Sequence, residues 1–89
     1  MNTLSIASVQ QDILSVNLYF DDDCFGPSKV MQLFGAVGQL PNFYQLQWQA
    51  SNSGWLIKLV LVNNDLNRVL VSKFKTISGL VDMEYLESE

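Results

Sequence analysis

The densest run of reactive side chains is Asp21-Asp22-Asp23-Cys24, followed at once by Phe25-Gly26-Pro27. Carboxylates suit a hard cation such as Mg²⁺ or Ca²⁺. Three consecutive side chains cannot all converge on one ion, however, and the spaced oxygen ligands of a calcium loop are missing. The same residues serve more simply as a solvated turn whose negative charge favours the start of a following helix. Cys24 beside a helix start would have its thiol pKa lowered, but the neighbouring aspartates act the other way. The chain has no His to take the proton, which also removes the commonest metal ligand. Cys24 is therefore read as structural or incidental. The Gly26-Pro27 turn could offer helix N–H groups to an anion, although one glycine is a poor phosphate cradle and the carboxylates repel phosphate. A zwitterion fits better: its amino group pairs with Asp21, Asp22 or Asp23 while its carboxylate meets the helix N–H groups. A plain strand-to-helix turn is the bland alternative.

Other candidates are thinner. Asp82 and Glu84 stand two residues apart on one strand face and could flank a substrate, but exposed acids also guard a sheet edge against aggregation. Tyr19, Phe43, Trp48 and Trp55 could stack on bases. The five basic residues, Lys29, Lys58, Arg68, Lys73 and Lys75, form no dense stripe in a chain of net charge −4. Nucleic acid is thus not expected as a partner, and the aromatics are read as core or interface residues. With no acid–base set in view, the chain is not expected to be an enzyme.

The elements that must hold these residues follow from hydrophobic period. Residues 12–20 alternate, with Leu14, Val16, Leu18 and Phe20 on one side. Pro27 suits a first helical position. Val30, Leu33, Phe34 and Val37 then mark a helical face, which Gly38 and Pro41 end. Residues 43–50 alternate again, and Ser51-Asn52-Ser53-Gly54 turns the chain into a nearly all-apolar strand over 55–62. Trp55, Ile57, Leu59 and Leu61 are expected to face the core, and Lys58 marks the wetter side. Asn63-Asn64-Asp65 offers caps for a second helix whose buried stripe is expected at Leu66, Val69, Leu70, Phe74 and Ile77. A last strand spans 80–86, with Val81, Met83 and Tyr85 opposing Leu80, Asp82, Glu84 and Leu86.

The order is β-α-β-β-α-β. Two right-handed β-α-β units around a hairpin make an α+β, ferredoxin-like sandwich. It is a four-stranded antiparallel sheet in the order 4-1-3-2 with both helices on one face. The other face would carry Tyr19, Gln45, Gln47, Gln49, Lys58, Val60, Asp82 and Glu84. That mixture suits a wet interface. One domain over 12–86 is expected, with an arm or short extra strand over 1–11 and a frayed acidic tail over 87–89.

Apolar residues make up 48% of the chain and charged residues 16%. A surface so thin in charge predicts that a second copy or a protein partner covers part of it. Cys24 is the single cysteine, which excludes an intramolecular disulfide. The first basic residue is Lys29, so there is no basic start to a secretory signal. No apolar run approaches the ~20 residues of a membrane span. A cytoplasmic protein without membrane contact is expected.

Residues 12–86 resemble an ACT domain, a family that reads as a strand, an Asp-x-Pro-Gly turn and a helix with one aliphatic face. Here Asp23-Cys24-Phe25-Gly26 takes the place of the turn, with Phe25 where the proline would stand and Pro27 one step past the glycine. Val30, Leu33, Phe34 and Val37 follow, and Asp65 through Met83 is similar to the family's closing helix and strand. The resemblance implies a regulatory domain that binds an amino acid or similar small effector between two copies, against the first strand–helix loop. It implies contacts at Asp23, Cys24, Phe25 and Gly26, and requires no metal or other cofactor. The alternative reading is an interaction module with no small ligand, docking through its open sheet face or an edge strand.

Overall fold

A computed structural model describes residues 12–21 and 25–88. The arm expected over 1–11, Asp22 to Cys24 of the first turn, and Glu89 lie outside the described residues.

The elements follow one another as β1 (Ile13–Asp21), α1 (Gly26–Val37), β2 (Phe43–Gln49), β3 (Gly54–Val62), α2 (Asp65–Phe74) and β4 (Leu80–Ser88). The four strands form one antiparallel sheet in the order β2-β3-β1-β4, which is the expected 4-1-3-2 read from its other edge. β1 and β3 occupy the middle, where their alternation buries one full face. Leu14, Val16, Leu18 and Phe20 lie opposite Leu61, Leu59, Ile57 and Trp55. All but Trp55 are buried, and Trp55 packs on the same cluster.

Both helices cover that one face. Val30 and Phe34 of α1 join Leu70, Val71 and Phe74 of α2 in a single core, and the rings of Phe34 and Phe74 meet at 5.9 Å. Each such side chain withdrawn from water contributes about 1.5–3 kcal/mol. α1 ends at Gly38, whose left-handed backbone (φ 70°) a side chain would strain. α2 begins at Asn64, whose side chain accepts the Asn67 N–H at 2.8 Å.

Three details differ from the sequence expectation. The buried stripe of α2 runs through Asn67, Leu70, Val71, Phe74 and Ile77, while Leu66 and Val69 stay 41% and 52% exposed. Leu70, Phe74 and Ile77 are buried as expected, and Asn67 and Val71 take the places expected of Leu66 and Val69. Asn67 is tolerated there because its Nδ2 donates to the Val62 carbonyl at 2.9 Å, tying α2 to the end of β3. Secondly, Tyr19 pairs with Asp82 but Phe20 with Leu80. Val81 is the extra residue of a β-bulge. The bulge turns Leu80 onto the core and leaves Val81 exposed, opposite to strict alternation. Thirdly, β4 continues through Glu87 and Ser88, which pair with Leu14 and Ile13, where a frayed tail was expected.

Candidate functional site

The first strand-to-helix turn brings together part of what the sequence singled out. Asp23 and Cys24 lie outside the described residues. Phe25 is 78% exposed and forms the N-cap of α1 without a side-chain hydrogen bond. Gly26 is buried under the Phe20 ring, and a Cβ built on it would lie 2.2 Å from Phe20 Cδ1. The glycine is therefore required by close packing between the turn and β1, a role the sequence reading did not give it.

The start of α1 is held from within. The Lys29 N–H donates to the Phe25 carbonyl at 3.1 Å, and the Ser28 hydroxyl donates to the same oxygen at 3.0 Å. No acidic residue occupies the first turn, whereas α2 has both the Asn64 cap and Asp65.

A groove of about 600 Å³ opens at this helix start and runs across to β2, lined by Pro27, Ser28, Met31, Gln32, Tyr44 and Leu46. It is shallow and open to solvent, with a mostly apolar lining. Burial pushes the Tyr44 phenol above its ordinary 10.0, so Tyr44 is a neutral hydrogen-bonding group at physiological pH. Met31 and Gln32 were not singled out from sequence. Their nearness to Tyr44 and Leu46 depends on how α1 lies over the sheet, which no local pattern records. On the other flank of α1, a hollow of about 550 Å³ separates Lys29, Leu33 and Ala36 from Ile77.

The open sheet face carries the expected residues, joined by Asn17 and Leu56. Cross-strand register sets Gln47, Leu56, Tyr19 and Asp82 in one row and Gln45, Lys58, Asn17 and Glu84 in the next. Leu56, flanked by Tyr19 and Gln47, is only 4% exposed despite lying on this face. Glu84 is occupied. Its Oε1 accepts from the Tyr19 hydroxyl at 3.0 Å and from Asn17 Nδ2 at 3.4 Å. The hydrogen bond to Glu84, then desolvation and the charges of Glu84 and Asp82, hold the Tyr19 phenol above 10.0. Trp48 and Trp55 meet edge-to-face, centroids 5.0 Å apart, on the helix side of the sheet. They are engaged with each other rather than laid out as a stacking platform.

Among the described residues, no group of three or more Cys, Asp or Glu is placed to hold a metal ion. No described helix is long and apolar enough to cross a membrane.

No family model matches the chain, and no curated protein matches it. Among solved structures, the chain is similar to an uncharacterized protein from Thermotoga maritima. The two are 17% identical, with a TM-score of 0.72 over 90% of this chain and 100% of that one. At that identity the likeness shows a shared fold.

Proposed function

We propose that this chain is a regulatory module that binds a small effector and catalyses no reaction of its own. The effector is an α-amino acid with an apolar side chain, and the module works as a homodimer. The observation that carries the reading is the groove running from the first turn of α1 to Tyr44 and Leu46, at a helix start whose N-cap residue, Phe25, makes no side-chain hydrogen bond. The Ser28 N–H and the positive end of the helix dipole suit the ligand's carboxylate. Pro27, Met31 and Leu46 suit its apolar side chain, and the aspartates of the preceding turn suit its amino group. The ACT-like order of elements supports the same reading.

Thermal unfolding with each of the twenty amino acids in turn tests it. A ligand at a hundredfold its Kd adds about 2.7 kcal/mol, roughly 10–20 °C in Tm for a domain this small. Such a rise is expected for one or more apolar amino acids, and Met31→Glu is expected to abolish it. An unmoved Tm with all twenty contradicts the reading. A second reading, an interaction module without small ligand, is favoured by the exposed Phe43, Leu46 and Trp48 along the β2 edge.

A further inference from the structure

The hairpin end of the sheet holds a slot apart from the groove beside α1. Gln49 ends β2, Gly54 begins β3 and Asp21 ends β1, and the three stand in one cross-strand row. Residues directly opposite in a sheet share a face. This row continues the alternation of Gln47, Leu56 and Tyr19, so it belongs to the open face, away from the helices. Gly54 has no side chain. Gln49 and Asp21 therefore stand on either side of a bare position, their strands about 10 Å apart. No other residue can fill that position. A Cβ on Gly54 would lie 2.3 Å from the Phe20 carbonyl oxygen, a backbone atom held within β1.

The slot measures about 260 Å³, and Tyr19, Trp55 and Asn52 of the hairpin also line it. Asn52 Nδ2 donates to Gln49 Oε1 at 3.3 Å, which leaves Asn52 Oδ1 to accept from a guest. Asp21 is the ionised residue of the lining, and no Lys or Arg joins it among the described residues. Lys58 is two rows away on this face, whereas Asp82 is in the adjacent row and Glu84 in the one beyond. The Tyr19 phenol registers that negative field: after the hydrogen bond to Glu84 and desolvation, the charges of Glu84 and Asp82 raise its pKa. An anion is therefore disfavoured. A metal ion needs several oxygen ligands, and among the described residues no group of three or more acids is gathered to supply them. Aromatic residues in the lining suit an organic cation instead. The space admits a few heavy atoms, not a drug-sized molecule.

We propose that this slot binds the ammonium head of a small aliphatic amine, paired with the Asp21 carboxylate and donating to Asn52 Oδ1, beside Tyr19 and Trp55. The inference goes beyond the effector reading, since slot and groove share no lining residue.

Titration of the isotope-labelled full chain with putrescine at constant ionic strength tests it by nuclear magnetic resonance. Saturable shifts are expected at the Gly54 N–H and the Asn52 and Gln49 side-chain amides, with a millimolar Kd. Butanediol, the uncharged molecule of the same length, is expected to shift none of them. Asp21→Asn is expected to weaken binding about tenfold or more, as the loss of a charged hydrogen bond implies. Gln49→Lys sets a cation across Gly54 and is expected to abolish the shifts, and it decides the matter if Asp21→Asn does not fold. No saturable shift with putrescine overturns the proposal. So do equal shifts with butanediol, shifts that survive unweakened in either folded variant, or shifts centred on Asp82 and Glu84. The readouts are resonances at the hairpin end, so their failure is distinct from an absent thermal shift with amino acids.

Discussion

At the scale of single residues, sterics and hydrogen bonds decide between functional and structural roles. Gly26 lies in the turn where a ligand contact was expected, and its burial under Phe20 makes it a packing residue as well. Gly26→Ala gains up to about 1 kcal/mol of helix propensity, but forcing a methyl into the ring costs about 1–3 kcal/mol. We expect a net loss of about 1–2 kcal/mol in urea unfolding. Glu84 looked like half of a carboxylate pair and is instead engaged by Tyr19 and Asn17. The neutral Tyr19 phenol is the form that donates to Glu84, and its pKa is raised. Its contribution to stability is present below pH 10 and is lost as pH rises through the folded pKa. Phenolate absorbance should therefore show a tyrosine titrating above its ordinary range in the folded protein. Glu84→Gln should bring that titration down toward 10.

At the scale of elements, the prediction concerns the phase of α2. Leu70→Ala should cost about 2–5 kcal/mol, the usual loss for a buried leucine, and Leu66→Ala within about 0.5 kcal/mol, as for a surface change. Equal losses would restore the stripe through Leu66 and Val69. Asn67→Ala should cost about 1–3 kcal/mol, because it leaves the Val62 carbonyl without its donor. The four strands, both helices and the sheet order were legible because each switch of period is marked by turn or cap residues: Gly26-Pro27, Gly38, Ser51 to Gly54, and Asn64. What escaped was tertiary. Asn67 is polar in sequence yet buried; a strand carbonyl 2.9 Å away satisfies its Nδ2, while its Oδ1 is buried without a partner among the described residues. The bulge left only a faint sign, the adjacent apolar pair Leu80-Val81. The groove was illegible because it joins α1 to β2 through space, although Tyr44 and Leu46 were already on one face in the alternation.

At the scale of the whole molecule, a chain with 16% charged residues leaves apolar groups at its surface. They include Phe43, Leu46 and Trp48 of the β2 edge and Met31 at the groove mouth. A fold shared with an uncharacterized protein carries no activity with it, so the function rests on the site. The central claim is that an apolar amino acid sits against the first turn of α1. The direct test is to follow backbone amide resonances of the labelled protein while adding the amino acid that most raises Tm. The account predicts saturable shifts at Gly26, Ser28 and Lys29 and along Met31, Tyr44 and Leu46, with β4 undisturbed. Shifts confined to the open face around Asn17, Lys58 and Glu84, or none at saturating ligand, would contradict it.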